Sequence, residues 1–138
     1  MDSLKVLTDN DIKHTKQRVR VLDEISMEVT AVSQPDLEKK LGKEIDRVTL
    51  YRILNLFEEK GILHRVIDRH GTANYAVCAP NCSANHHHDN HVHFNCTMCQ
   101  KIYCLPVELP ALKLPAGFKM ETLNTIVYGT CNNCSINS

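Results

Sequence analysis

Two pairs of cysteines carry the clearest chemistry in the sequence. Two residues separate the thiols within each pair, and 31 residues separate Cys96/Cys99 from Cys131/Cys134. This spacer lets both thiolates of a pair reach one ion, and four thiolates complete the closed tetrahedral site that structural Zn²⁺ prefers. The spacing therefore predicts one structural zinc ion per subunit. Because a closed site leaves no position for water or substrate, we assign these cysteines no catalysis.

A second set of potential ligands lies beside the first pair. If their segment is a β-strand, His91 and His93 point to the same face, so both imidazoles can reach one metal. If the chain then returns as an antiparallel strand with Lys101 opposite Cys96, Cys104 lies across from His93. Two imidazoles and a thiolate suit Zn²⁺ better than a hard, oxygen-seeking ion.

The fourth ligand of this second set stays open. Cys78 is the best placed, because a metal shared between it and the histidine strand would fix the orientation of the two halves of the chain. Cys82 and the run from His86 to His88 are alternatives. A single cysteine is also commonly a small buried apolar residue, and the histidine run is more readily explained as a solvated linker with incidental metal affinity.

The amino-acid composition limits the classes of protein to which the chain can belong. The chain has 138 residues, sixteen basic and sixteen acidic side chains and 43% apolar residues. These values favour a folded protein and exclude a nonspecific, strongly basic coat for nucleic acid. Because no apolar run approaches the roughly 18 residues of a membrane span and no signal peptide is apparent, we expect a cytoplasmic protein without membrane contact.

The distribution of cysteine and histidine indicates a boundary within the chain. All seven cysteines lie from Cys78 onward, and five of the eight histidines lie between His86 and His93. In a reducing compartment an odd number of cysteines favours metal binding over disulfides. We predict three segments: an N-terminal domain over 1–79, a hinge or insertion over 80–90, and a metal-binding domain over 91–138.

The N-terminal half has the pattern of helices followed by a hairpin. Side chains able to cap helices precede three segments with apolar residues at helical spacing. The predicted helices run from the Thr15 cap to about Met27, over Gln34–Leu41 after the Ser33 cap, and from the Asp46 cap through Lys60. Two β-prone stretches follow, at Leu63–Ile67 and Asn74–Cys78. Helices followed by a two-stranded wing predict a winged helix-turn-helix, with the third helix as recognition helix.

The exposed face of that third helix is suited to DNA. Arg47, Tyr51 and Asn55 follow one another at four-residue steps, and Thr49 and Arg52 flank them, so hydrogen-bond donors and an aromatic ring project together. An ordinary solvated face would look similar. A second signal favours DNA, because residues 13–20 contain four Lys or Arg and no acid, and a local basic patch can hold phosphates.

Four motifs of this sequence resemble those of the ferric uptake regulator family of metal-dependent repressors. Together they span nearly the whole chain. They are Lys13–Arg18, Arg47–Leu54, His91-x-His93-x-x-Cys96-x-x-Cys99, and Tyr128–Cys131-x-x-Cys134. The resemblance implies an N-terminal winged helix, a C-terminal α/β dimerisation domain with a four-cysteine zinc site, and an interdomain regulatory site that controls operator binding.

Individual positions carry over from the resemblance. Lys13 and Arg18 match residues near the DNA backbone and minor groove, and Tyr51 and Arg52 match contacts of the recognition helix. The four paired cysteines match the structural site, and His91, His93 and Cys104 match the regulatory site. Iron and peroxide sensors of the family usually have a carboxylate where Cys104 stands, and a cysteine near Cys78 is typical of the zinc-sensing branch.

The sequence also departs from the family pattern. Ligands of an additional site in some members are replaced by Asn90 and Val92, so we predict two metal ions per subunit. Three prolines between Leu105 and Phe118 indicate that the long crossover helix of many members is short or missing.

The fold class predicted from these features is α+β, a winged helix-turn-helix followed by a small α/β dimerisation domain. The predicted function is a homodimeric, non-enzymatic repressor that binds an A/T-rich pseudo-palindromic DNA operator when Zn²⁺ fills its regulatory site. Fe²⁺ or Mn²⁺ there is less favoured. Alternatives are an iron or peroxide sensor of the same family and, in other classes, a metal-storage or chaperone protein or a zinc enzyme, for which no His-x-Glu motif is present.

Overall fold

The structure is a computed structural model that describes residues 2–28, 30–77, 91–108, 112–121 and 125–136. The chain divides into two compact units, Met1–His87 and His88–Ser138, and each is described by itself. Val29, Cys78, Cys82 and the His86–His88 run lie outside the described residues, as does the side chain of His91. No helix within the described ranges is long and apolar enough to span a membrane.

Four helices lie in the described part of the N-terminal unit, and a side-chain oxygen caps each one. The caps accept hydrogen bonds from backbone N–H groups that have no partner within the helix. The helices and caps are α1 Ser3–Asp9 (Asp2), α2 Lys16–Ser26 (Thr15), α3 Gln34–Leu41 (Ser33) and α4 Arg47–Glu59 (Asp46). The last three confirm the helices predicted from the sequence. We did not predict α1, which buries Leu7 and whose Ser3 hydroxyl donates to Asp23.

The end of α4 is fixed by a left-handed glycine. Gly61 has a φ of 73°, its N–H donates to Glu58 O at 3.0 Å, and the Ile62 N–H donates to Phe57 O at 2.9 Å. These two bonds form a Schellman motif, which satisfies carbonyls at the helix end. The chain therefore folds back at Ile62, as predicted, and enters the wing directly.

The wing is a three-stranded sheet in the order β1-β3-β2. Its strands are β1 Val32–Ser33, β2 Leu63–Ile67 and β3 Ala73–Val77. The β2–β3 hairpin confirms the predicted wing. The two-residue β1 was not predicted, because it is too short to show a strand pattern, and it pairs Val32 with Tyr75.

The core of the N-terminal unit is the apolar side of these elements. Phe57 of α4 is the largest of the fully buried side chains described, and Leu54 of the same helix and Leu22 of α2 are also fully buried. The buried stripe of α4 therefore faces inward and leaves the opposite side of the helix for function. The core cluster comprises Leu7, Ile12, Val21, Leu22, Ile25, Val32, Leu37, Leu41, Ile45, Leu50, Ile53, Leu54, Phe57, Ile62, Leu63 and Tyr75.

The C-terminal unit is a three-stranded mixed sheet with a short terminal helix. Its elements are β4 His91–Cys96, β5 Ile102–Glu108, β6 Thr125–Gly129 and α5 Asn132–Ile136. The strand β4 is central, antiparallel to β5 and parallel to β6. We predicted β4 and the start of β5, whereas β6 and α5 were missed.

The register of β4 and β5 is the one assumed from the sequence. Cys104 pairs with His93, and the Cys96 N–H donates to Lys101 O at 3.0 Å. The register shifts between His91 and Val92, where Glu108 and then Leu105 are the partners. Pro106 lies in this interval, and because proline has no N–H to donate, an irregularity on an edge strand accommodates it.

The segment after β5 agrees with the expectation drawn from its prolines. None of residues 105–108 and 112–118, the described part of the stretch from Leu105 to Phe118, is helical. The chain instead continues β5 to Glu108 and turns near Gly117, which has a φ of 91°.

Candidate metal centre and nucleic-acid interface

The four paired cysteines come together in the C-terminal unit. Cys96 ends β4, Cys99 lies in the following turn, Cys131 precedes α5, and Cys134 lies within it. One sulfur atom from each lies within 4.8 Å of every other. The Sγ atoms of Cys99 and Cys131 are 3.9 Å apart, close to the roughly 3.8 Å edge of a tetrahedron with zinc–sulfur bonds of about 2.3 Å. The donor set and its size therefore fit a tetrahedral zinc ion.

Backbone N–H groups prepare Cys96 to act as a thiolate. Its Sγ accepts hydrogen bonds from the N–H groups of Met98, Cys99 and Cys131, each at 3.4 Å. The bond from Cys99 is foremost among those that lower the pKa of Cys96 to about 6. The thiolate is the form that binds metal, so the turn after β4 favours metal binding before any ion arrives.

The pKa values of the neighbouring Cys131 and Cys134 thiols depend on one another. The backbone N–H of Cys134 is the leading cause that lowers the pKa of Cys131. In turn a hydrogen bond from the Cys134 thiol to the Cys131 sulfur is the leading cause that raises the pKa of Cys134 to about 12, because a hydrogen bond donated by the protonated form disfavours its ionisation. A bound cation reverses that balance and favours the thiolate at every ligand.

Tyr103 is a functional side chain that sequence reasoning missed. Its hydroxyl hydrogen-bonds the sulfur of Cys131, which raises the pKa of Tyr103 to about 12. The phenol therefore stays protonated and donates to the thiolate. Hydrogen bonds of this kind orient metal ligands. An aromatic residue four positions after Cys99 on the return strand was the available signal.

The proposed regulatory ligands are only partly within the described structure. His93 and Cys104 occupy directly opposed positions of β4 and β5, and opposed side chains lie on the same face of a sheet. The Nε2 atom of His93 is buried, whereas Cys104 is exposed. Within the described ranges, the four-cysteine cluster is the one group of three or more potential metal ligands that comes together.

The predicted contacts on the recognition helix lie outside its buried stripe. Arg47, Arg52 and Asn55 are exposed and Tyr51 is half-buried. The hydroxyl of Thr49 donates to the capping carboxylate of Asp46, and this bond is the leading cause that lowers the pKa of Asp46. Thr49 therefore has a capping role in the DNA-free chain.

The basic stretch before and within α2 is partly neutralised by the fold. Lys13 and Lys16 are exposed, and Arg18 Nη1 donates to Lys13 O at 3.0 Å, which shapes the start of the helix. Arg20 instead forms two ion pairs, one with Glu24 one helical turn later at 2.7 Å and one with the sequence-distant Glu44 at 3.1 Å. Lys13, Lys16 and Arg18 thus remain the more available cations of this stretch.

Comparisons with known proteins identify relatives over nearly the whole chain. The ferric uptake regulator family profile matches residues 9–128. The ferric uptake regulation protein of Staphylococcus epidermidis is 29% identical over 140 residues, which cover 99% of this chain and 97% of the relative. That of Vibrio anguillarum is 33% identical over 136 residues, covering 94% and 88% of the two chains.

Solved structures show the same fold. A zinc uptake regulator complexed with zinc and DNA aligns with a TM-score of 0.70 at 19% identity, covering 96% of this chain and 90% of that one. The ferric uptake regulator of Vibrio cholerae aligns with a TM-score of 0.62 at 22% identity, covering 94% and 100%. These findings confirm the resemblance and the predicted fold class. The chain therefore belongs to the ferric uptake regulator family, whose members are metal-responsive DNA-binding transcription regulators and not enzymes.

Proposed function

We propose that the protein is a cytoplasmic, homodimeric repressor that binds an A/T-rich pseudo-palindromic operator when Zn²⁺ fills its regulatory site. The observation that carries the zinc assignment is the opposition of Cys104 to His93 in the sheet. A thiolate beside an imidazole favours a borderline or soft ion over a hard one. Fe²⁺ and Mn²⁺ are correspondingly less suited to this site.

The proposed regulatory ligands are His91, His93, Cys104 and Cys78, with Cys82 and the His86–His88 run as alternatives for the last. Cys78 follows the wing, and the other three belong to the sheet of the second unit. Metal binding would therefore fix the DNA-binding domain, residues 1–79, relative to the dimerisation domain, residues 91–138, across the hinge at 80–90. A metal ion can shift the equilibrium between two domain arrangements only by as much as it binds one of them more tightly than the other.

A second zinc ion is proposed at Cys96, Cys99, Cys131 and Cys134, one per subunit. The sulfur geometry and the three N–H bonds to Cys96 support it. This ion would have a structural role, because a closed site ties the end of the chain to the β4–β5 hairpin and offers no open coordination position.

The proposed DNA contacts are Lys13, Arg18, Arg47, Thr49, Tyr51 and Arg52. Lysine and arginine near α2 would contact phosphates, and side chains of α4 would enter the major groove. Two-fold symmetry of the dimer would match the symmetry of the operator.

Metal content and DNA binding together test this function. Protein purified without added metal is assayed for zinc and then titrated onto duplexes enriched from a random library, in Zn²⁺, Fe²⁺, Mn²⁺ or chelator. We expect tight binding in Zn²⁺, with two zinc ions per subunit, and loss of binding in chelator. Tight binding in Fe²⁺ but not in Zn²⁺ would instead favour an iron sensor, in line with the ferric uptake regulation for which the curated relatives are named.

A further inference from the structure

An acidic side chain of α3 holds the first arginine of the recognition helix. Arg47 Nε lies 3.2 Å from Glu38 Oε1, and the guanidinium carbon is 5.6 Å from the centroid of the Tyr51 ring. The Arg47 side chain is 72% exposed and that of Glu38 is 30% exposed. Glu38 also accepts a hydrogen bond from Gln34 at 3.4 Å, so the carboxylate is anchored on its own helix.

This geometry leaves one edge of the guanidinium available. Glu38 faces Nε, and Nη2 makes only a long bond of 3.4 Å to the Tyr51 hydroxyl. An arginine engaged through Nε can still present Nη1 and Nη2 as a fork, and two parallel donors match the O6 and N7 acceptors of guanine in the major groove. The pair with Glu38 can therefore persist while the fork reads a base.

The same pair disfavours contacts with phosphate. Nonspecific DNA binding comes almost entirely from cations that neutralise phosphates. Glu38 already pairs with Arg47, and its carboxylate repels a phosphate that approaches the guanidinium. Nonspecific DNA binding therefore has one fewer phosphate-binding cation per subunit. A base contact made by Nη1 and Nη2 of Arg47 is not weakened in this way.

We propose that Glu38 is a specificity-determining residue, which withholds Arg47 from phosphates and orients its fork toward a guanine edge. This inference rests on the proposed function and names a residue that sets its selectivity. Glu38 acts through Arg47 and not by touching a base, so it is a positioning residue.

Glu38→Gln tests the proposal with little change in shape. The full-length protein in Zn²⁺ is titrated, at several salt concentrations, onto the duplex that the wild type enriches from a random library and onto a scrambled duplex of equal composition. We expect scrambled DNA to bind more tightly, with a salt slope steeper by about 0.9 per subunit for one added phosphate contact. The affinity ratio between the two duplexes should fall at least about fivefold, the lower end of what one bidentate base contact contributes.

Two controls separate positioning from simple charge. Glu59→Gln removes the same charge from an exposed site at the last residue of α4 and should leave the ratio unchanged. In an Arg47→Ala background, Glu38→Gln should have no further effect on the ratio, because coupled residues are not additive.

Other results would overturn the proposal. One is an unchanged affinity ratio between the two duplexes in Glu38→Gln. Another is an equal change of that ratio by Glu59→Gln. The third is a full effect of Glu38→Gln on the ratio in the Arg47→Ala background. If the wild-type protein enriches no sequence in Zn²⁺, the proposed function itself fails and this inference fails with it. An enriched sequence with an unchanged ratio in Glu38→Gln overturns the role of Glu38 alone.

Discussion

At the scale of single residues, the fold adds partners that local sequence does not reveal. The four paired cysteines were identified by spacing alone, because the spacing is itself the requirement for shared coordination. Tyr103 was not, since its value depends on where β5 lies relative to Cys131. The pairing of Arg20 with Glu44, 24 positions away, was invisible for the same reason. Chemistry that depends on local spacing could be predicted, and chemistry that depends on tertiary contacts could not.

The hydrogen bond from Tyr103 leads to a prediction about zinc affinity. Tyr103→Phe removes the phenol donor to Cys131 and keeps the ring. Changes to groups that hydrogen-bond metal ligands commonly weaken binding by about 10- to 100-fold, and we expect the lower end here because three backbone bonds to Cys96 remain. Competition for zinc against a chromophoric chelator measures the zinc affinity of the variant and of the wild type.

Tyr128→Phe is the matched control, because Tyr128 lies on β6 and is 47% exposed. Equal zinc affinity in the two variants would show that the Tyr103 hydroxyl does not support the site.

At the scale of elements, caps and apolar periodicity determined what could be predicted. The helices α2, α3 and α4 follow the Thr15, Ser33 and Asp46 caps, and the Gly61 signal placed the end of α4 correctly. The missed elements lack such signals or are too short to show them. The strand β6 has only five residues and pairs in parallel with a strand about thirty positions earlier.

The turn of the wing gives a prediction about pH. Burial opposes ionisation of Asp68, but hydrogen bonds from the Thr72 N–H, the Asn74 amide and the His70 N–H outweigh it and lower the pKa below 3.8. A carboxylate with a lowered folded pKa contributes stability above its unfolded pKa and loses it as the pH falls through the folded value. Asp68→Asn should therefore reduce the free energy of unfolding near neutral pH and lose this effect at pH values below the folded pKa.

Urea unfolding of both proteins between pH 6 and pH 2 measures the difference. Loss of metal from the cysteine cluster in acid affects both proteins and cancels in the comparison. A difference that stays constant across the range would contradict an ionised Asp68 as the stabilising group.

At the scale of the whole molecule, sequence predicted the class of protein but not its assembly surfaces. In the described structure β6 is an edge of the sheet, paired only with β4. Val127 and Tyr128 are exposed on it, at 43% and 47%. An exposed apolar edge strand without charged residues readily pairs with another chain.

We therefore expect the dimer to use the β6 edge. Val127→Lys places a charge on this edge and should shift the protein toward monomer in sedimentation velocity. Val107→Lys is the control, because Val107 is 52% exposed on β5, the other edge strand of the described sheet. Dissociation by Val107→Lys alone would place the interface at the other edge.

Cys104 is proposed to make zinc the signal for DNA binding, separately from the structural zinc. The most direct measurement compares wild type and Cys104→Ser in one titration of zinc-dependent binding to the enriched duplex, with zinc content determined in parallel. We predict that the variant retains one zinc ion per subunit and a folded dimer but no longer gains DNA affinity from zinc. Unchanged zinc-dependent DNA binding in the variant would contradict a regulatory role for Cys104.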